Sequence, residues 1–241
     1  MVKEYLQLLI LDYLSSTHYV QKTVFIGGTN LRLVKGIDRF SEDLDFDCKN
    51  FSAQEFKEMT DAVILFLLRS GWRVVTREKE SPKVTAFRRN LHFPELLFDM
   101  GLSGHKDERF LIKVESQDQG TVYEPVIVNV SGCGFFFPFP VPSDGVLSGM
   151  KIAAMLSRSK GRDFYDLMFL LAQTKPDYEF LAKRCGINNL QEFKEAAKER
   201  IKKIDLKVKQ KDFEHLLFNK ANSEKILRFA SFIEALKEEH S

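Results

Sequence analysis

The sequence contains little cysteine and no long apolar run. Its three cysteines, Cys48, Cys133 and Cys185, lack the close spacings of a zinc site or a disulfide framework, and we expect a reducing compartment, the cytoplasm. No apolar run approaches the ~18 residues that span a bilayer. The apolar N-terminal segment includes Glu4 and Asp12, so we predict an amphipathic helix rather than a signal peptide, and no membrane partner.

The chain also lacks an excess of one charge, internal repeats and low-complexity segments. The net charge is +2, which by itself indicates no particular partner. Between Lys194 and Lys211, however, eight Lys or Arg residues stand against three acidic ones. This stretch has two interpretations, a surface that binds RNA and a solvated helix face, and the second is the more common.

The pattern of apolar residues predicts an α/β (α+β) protein in two parts. We predict a catalytic lobe over residues 1–140, with one mixed β-sheet and flanking helices, and an all-α lobe over residues 141–241 that completes the active site. The boundary is placed at a proline-rich connector, residues 138–142. The predicted helices cover residues 3–16, 52–69, 143–157, 162–173, 177–184, 189–203, 205–218 and 221–239. Further strands are predicted over residues 72–79, 83–91, 109–116 and 122–130.

A strand with alternating acidic residues is the first feature that indicates chemistry. Residues 43–47 read Asp-Leu-Asp-Phe-Asp, and the period of two places the three carboxylates on one face of a strand. Two such carboxylates suit Mg²⁺, which takes one or two carboxylates and completes its octahedron with phosphate oxygens and water. Because this spacing also occurs by chance on solvated strands, Asp43 and Asp45 alone are weak support for a metal site.

A glycine pair upstream strengthens the metal interpretation. A short apolar strand leads into Gly27, Gly28 and Thr29, and a helix follows. Glycines at such a turn let the backbone approach phosphates, although a plain strand-to-helix turn has the same residues. Arg39 and Ser41 bring a cation and a hydroxyl close to the acids; a serine at a strand entry is also a common turn residue.

Two long segments together resemble one known family. Residues 27–47, GGTNLRLVKGIDRFSEDLDFD, and residues 151–171, KIAAMLSRSKGRDFYDLMFLL, are similar to the motifs of the AbiEii/AbiGii-type nucleotidyltransferases. These are toxins of type IV toxin–antitoxin and abortive-infection systems. The resemblance implies an NTP co-substrate, Mg²⁺ or Mn²⁺, a cognate antitoxin, and an acceptor hydroxyl on RNA, such as a tRNA 3′ end, or on a protein.

The resemblance also implies roles for individual residues. Gly27, Gly28 and Thr29 would cradle the triphosphate, and Asp43 and Asp45 would bind the metal and act in catalysis. From the second motif, Lys151 would contact the phosphates and Asp166 would complete the catalytic site. The remaining expected nucleotide contacts are Arg39, Ser41, Arg162 and Asp163. For Lys151, a purely structural role is the alternative.

The resemblance also implies a third carboxylate from a neighbouring strand. Glu115, at the end of the apolar run 110–114, is the candidate for a base or metal ligand, and an exposed strand-terminal Glu is an equally good interpretation. Asp47 is a further candidate.

The alternative functions are a small-molecule nucleotidyltransferase of the aminoglycoside type, a metal-dependent glycosyltransferase, and a catalytically inactive relative that binds RNA or a partner.

Overall fold

The computed structural model describes residues 1–76, 87–116 and 118–237. They form two compact units. The first unit comprises Met1–Lys35, Glu42–Gln119 and Val126–Val141, and the second comprises Gly36–Ser41, Gly120–Pro125 and Pro142–Ser241.

The first unit contains the sheets. Its helices are α1 (Val2–Ser15), α2 (Gly27–Leu33), α3 (Ala53–Arg69) and the short α4 (Leu96–Asp99), with a 3₁₀ turn at His18–Lys22. Its strands are β1 (Thr23–Ile26), β2 (Asp43–Cys48), β3 (Val75–Thr76), β4 (Phe87–His92), β5 (Leu111–Ser116), β6 (Val126–Gly132) and β7 (Phe135–Val141).

A five-stranded mixed sheet organises this unit, in the order β1-β2-β5-β4-β3. Strands β2 and β5 are parallel, and the other neighbouring pairs are antiparallel. Alternate residues of β2 and β5, such as Leu44, Phe46, Ile112 and Val114, are buried in the core. The predicted mixed sheet is therefore confirmed, and its central strands leave their other face for polar side chains.

Helix α3 shows how local sequence sets an element boundary. The Ser52 side chain accepts a hydrogen bond from the Glu55 amide, and the Glu55 carboxylate accepts one from the Ser52 amide. This reciprocal cap satisfies two of the free amides at the helix start. The predicted helices over residues 3–16 and 52–69 are confirmed by α1 and α3.

The predicted connector and one predicted strand need correction. Residues 138–142 were expected to form a connector, but Pro138 and Pro140 lie within β7, which pairs with β6 in a separate two-stranded sheet. Proline is tolerated there because each strand of such a pair is an edge strand. The strand predicted over residues 122–130 was assigned to the main sheet and is instead β6. Residues 77–79 and 83–86 of two other predicted strands lie outside the described residues.

The second unit is helical, as expected from the sequence. Its helices are α5 (Asp144–Ser157), α6 (Gly161–Leu171), α7 (Tyr178–Cys185), α8 (Leu190–Ile201), α9 (Leu206–Lys211) and α10 (Phe229–Ala235), with 3₁₀ turns at Glu214–Leu216 and Lys220–Arg228. The long helices predicted over residues 205–218 and 221–239 are wrong in their described part, since the first ends and the second begins as 3₁₀ structure. Residues 238–239 of the second lie outside the described residues. Phe164 and Phe229 pack edge to face in the unit's core, with ring centroids 4.9 Å apart.

Candidate active site

Strand β2 presents Asp43 and Asp45 on one face of the main sheet. The intervening Leu44 is fully buried in the core, whereas both aspartates are partly exposed. Asp47 follows on the same face but is buried, and one of its carboxylate oxygens accepts a hydrogen bond from the Gln119 amide at 2.9 Å. Asp43 and Asp45 are therefore the acids of this strand that are open to a ligand.

Strand β5 adds a third carboxylate beside them. In the parallel register, Glu115 is the partner of Asp45 and Lys113 is the partner of Asp43. Paired residues of neighbouring strands project to the same side of a sheet, so these four side chains share one face. Glu115 also forms an ion pair with Arg88 of β4, its register partner on the other side.

The Lys113 ammonium lies between two of the acids. Its Nζ is 2.7 Å from Asp43 Oδ2 and 3.2 Å from Glu115 Oε1, and each of the three side chains is about a quarter exposed. Burial acts to lower the pKa of Lys113, but the hydrogen bond and charge of Asp43, followed by those of Glu115, outweigh it and raise the pKa. Lys113 is therefore a protonated counter-ion of the acidic face.

Lys113 and Arg88 were not predicted from the sequence as residues of the site. Lys113 stands two residues before Glu115 in an alternating strand, and that spacing places both side chains on one face. The signal was thus present for Lys113. For Arg88 no comparable signal existed, because its position depends on the pairing of β4 with β5.

The glycine turn packs closely against Asp45. Gly27 has φ = +85°, and a Cβ atom at this position would overlap the Asp45 carboxylate. A glycine is required here both for the backbone conformation and for the close approach. Gly28 follows, partly exposed. The buried Thr29 donates its hydroxyl hydrogen bond to the main-chain carbonyl of Asp43, so its side chain fixes the start of β2.

Three of the other predicted site residues meet in the second unit. The Asp166 carboxylate accepts hydrogen bonds from Arg39 Nε at 2.6 Å, from Arg39 Nη2 at 2.7 Å and from Lys151 Nζ at 2.7 Å. Arg39 and Asp166 are at most 1% exposed, and Lys151 is 6% exposed. Burial favours the neutral carboxyl, but the charges of Arg39 and Lys151 and their hydrogen bonds lower the pKa of Asp166 to about 2.

Asp163 occupies a different environment at the start of α6. Its carboxylate accepts hydrogen bonds from the Arg158 guanidinium, the shortest at 2.7 Å, and from the Lys160 amide at 3.0 Å. It is fully buried. Asp163 thus stabilises the helix N-terminus, where a negative charge is favourable. The neighbouring Arg162 is partly exposed, and so is Ser41.

The acidic face of the main sheet fits a hard divalent cation by the chemistry of its donors. Asp43 and Asp45 supply two carboxylates, and Mg²⁺ typically takes one or two together with substrate phosphates and water. Within residues 1–76, 87–116 and 118–237, no group of three His, Cys, Asp or Glu side chains is arranged to hold a metal ion. The carboxylate of Glu115, the expected third ligand, is engaged by Arg88 and Lys113.

Solved structures with the same fold include nucleotidyltransferases. The crystal structure of JHP933 from Helicobacter pylori superposes with a TM-score of 0.59 at 20% identity, covering 97% of this chain and 89% of that one. MenT4, a nucleotidyltransferase toxin from Mycobacterium tuberculosis H37Rv, gives a TM-score of 0.56 at 17% identity, covering 98% of this chain and 84% of that one. The likeness at these identities is one of fold.

The sequence itself defines the class. Residues 9–240 match the family described as "Nucleotidyl transferase AbiEii toxin, Type IV TA system", so the protein is a nucleotidyltransferase. It belongs to the AbiEii toxin family. A search of curated proteins finds no match.

Family membership decides between several of the sequence-based alternatives. It confirms the predicted resemblance, and it implies an NTP substrate and an antitoxin partner. The glycosyltransferase alternative is thereby excluded. Among the described residues, no helix is both long enough and apolar enough to cross a membrane.

Proposed function

We propose that this toxin transfers a nucleoside monophosphate from an NTP to an acceptor hydroxyl, with a divalent cation held by Asp43 and Asp45. The observation that carries the proposal is the shared face of β2 and β5, where Asp45 is the register partner of Glu115 and Asp43 lies on the same face. Gly27 brings main chain against Asp45. Such a face suits a polyphosphate that arrives with its cation.

The reaction is an in-line displacement at the α-phosphorus. The acceptor oxygen forms a new P–O bond, the bond to the β-phosphate bridging oxygen breaks, and pyrophosphate leaves. When bound, Mg²⁺ or Mn²⁺ would neutralise charge on the phosphates. Glu115 would take the hydroxyl proton or serve as a further ligand, and Gly27 and Gly28 would offer main-chain amides to phosphate oxygens.

Residues of the second motif enter the proposal in two roles. Lys151 would supply a positive charge to the phosphates, and Asp166, which binds Lys151 directly, would be a positioning residue. Arg39 binds Asp166 through two nitrogens, so it would act through that carboxylate. Arg162, Ser41 and the main chain of Thr29 complete the proposed nucleotide contacts, and Asp163 would support them by holding the start of α6.

We propose an RNA hydroxyl, such as the 3′ end of a tRNA, as the acceptor. The alternative with the same chemistry is a small molecule of the aminoglycoside type, and a protein hydroxyl is a third acceptor class. These alternatives differ in the acceptor and share the metal and the NTP.

A transfer assay tests the proposal and separates the acceptors. The purified chain is incubated with Mg²⁺ and each of the four α-labelled NTPs, in parallel with total tRNA, aminoglycosides or a protein extract. Label should move to tRNA with release of one pyrophosphate per transfer, and EDTA should stop it. Label on an aminoglycoside alone would favour the small-molecule alternative. Loss of NTP without labelling of any acceptor would contradict the proposal, and full transfer in EDTA would contradict the metal.

A further inference from the structure

The position of Lys113 suggests a role that the metal-dependent mechanism does not include. Its ammonium contacts Asp43 Oδ2 at 2.7 Å and Glu115 Oε1 at 3.2 Å. These are two of the carboxylates proposed to serve the cation. A protonated lysine between two such oxygens occupies the place that a cation would take between them.

The strands hold Lys113 in this place. Lys113 is the register partner of Asp43, and it lies two residues before Glu115 on the same strand face. The main chain of Lys113 is thus held in β5, which is the central strand of the five-stranded sheet. A lysine donates but does not accept hydrogen bonds and is a compact positive charge, so it can hold the acids together but cannot serve a metal as a ligand.

We propose that Lys113 is a built-in counter-ion that a divalent cation displaces when it binds between Asp43 and Glu115. This inference rests on the proposed function, because it takes Asp43 as a metal ligand and Glu115 in its proposed role as a further ligand. It assigns two states to the lysine. Without the cation, Lys113 neutralises the acidic face; with the cation, the released ammonium turns towards solvent, where phosphate oxygens of the nucleotide can meet it.

The proposal has a measurable consequence for metal affinity. Each ion pair that is about a quarter exposed contributes only a few-fold to an equilibrium constant, and the cation must break two of them. Lys113→Met removes both pairs and keeps most of the side-chain volume. Mn²⁺ should therefore bind Lys113→Met about tenfold more tightly than wild type.

Mn²⁺ titration of the full chain, followed by electron paramagnetic resonance without nucleotide, measures this affinity. Lys22→Met is the matched control, because Lys22 pairs with Glu55 away from the acidic face and its loss should leave the affinity unchanged. Asp43→Asn combined with Lys113→Met should lose the binding. If wild type binds Mn²⁺ and Lys113→Met binds no more tightly, the role of Lys113 is overturned while the metal site stands. If neither binds, both proposals fail.

Acetylation footprinting of the wild-type protein gives a second test that does not depend on the folding of a variant. The rate of modification at Lys113 should rise several-fold on saturation with Mg²⁺, because the displaced ammonium becomes accessible, while that of Lys22 stays constant. An unchanged or reduced rate at Lys113 would overturn the displacement.

Discussion

The acidic residues of the two units differ in how completely they are neutralised. In the first unit, Asp43 and Glu115 are about a quarter exposed and share the ammonium of Lys113. In the second unit, Asp166 is fully buried and bound by two nitrogens of Arg39 and by Lys151. The first arrangement is open to exchange of one cation for another, whereas the second is a closed network whose members depend on one another.

This contrast shows that acidic residues of the two sequence motifs lie in different environments. Asp166 links α6 to Lys151 on α5 and to Arg39 in the segment Gly36–Ser41. The same segment is also bound through Asp38, which accepts hydrogen bonds from the Tyr165 hydroxyl and the Asn222 amide. The segment Gly36–Ser41 is therefore held within the second unit by buried contacts of Arg39 and partly buried contacts of Asp38.

The largest effect is expected for the open acids. Asp43→Asn and Asp45→Asn should each slow nucleotidyl transfer about a thousandfold, which corresponds to ~4 kcal/mol of lost transition-state stabilisation. The fold should persist, because neither carboxylate is buried. Transfer of labelled NMP measures the first effect and circular dichroism the second. Asp61→Asn, an exposed α3 carboxylate paired with Arg89, is the control. If Asp43→Asn transferred NMP at the wild-type rate, the assignment of Asp43 to the active site would be wrong.

For the closed network the expected effect is on stability. Asp166→Asn leaves Arg39 and Lys151 buried without their counter-charge, and removal of one partner from a buried ion pair typically costs about 3–5 kcal/mol. Urea unfolding measures the change. Glu179→Gln, an exposed residue paired with Lys183, should leave stability nearly unchanged. A variant as stable as wild type would contradict the closed network, whatever its transfer activity.

Much of this contrast could not be predicted from the sequence. The alternation of residues 43–47 predicted the shared face of Asp43 and Asp45, because strand periodicity is a local property. The partner of Asp166 could not be predicted, since Arg39 is 127 positions away and pairing over that distance depends on tertiary packing. The strand β7 was missed for a local reason, because Pro138 and Pro140 resemble a linker unless the edge position of the strand is known.

The buried network around Asp166 should contribute to the pH dependence of stability. The pKa of Asp166 is lowered from its usual 3.8 to about 2 in the folded protein. A carboxyl with a lowered folded pKa stabilises the protein above its unfolded pKa and loses that contribution as the pH falls through the folded value. We therefore expect a loss on the order of 2 kcal/mol between about pH 4 and pH 2. Asp166→Asn should abolish this part of the profile, and an identical profile in the variant would contradict the assignment.

A smaller effect on stability is expected at the glycine turn that packs against Asp45. Gly27→Ala places a Cβ against the Asp45 carboxylate, whereas Gly71→Ala meets nothing within 4 Å at a similar φ of +87°. Both variants suffer the strain of a positive φ, of about 1 kcal/mol, so their difference isolates the contact. We expect Gly27→Ala to be about 1–2 kcal/mol less stable than Gly71→Ala. If the two variants were equally stable in thermal unfolding, the turn at Gly27 would accommodate the added Cβ without disturbing Asp45.

The smallest effect is expected for the basic stretch between Lys194 and Lys211. Several of its cations are bound within the second unit: Lys194 Nζ donates to the carbonyl oxygens of Glu234 and Leu236 at 2.9 and 2.7 Å, and Lys198 forms an ion pair with Glu234. We therefore expect Lys202→Glu combined with Lys203→Glu to change RNA affinity by less than about threefold beyond a control of equal charge change.

Lys22→Glu combined with Lys57→Glu, on the first unit, provides that control. Affinity for total tRNA is measured over a range of salt concentrations, because each phosphate contact that is lost reduces the slope of log K against log salt by nearly one. A slope reduced by about two in the Lys202 and Lys203 variant, with the control unchanged, would show that the basic stretch contacts RNA. In that case the second unit would contribute to the recognition of RNA.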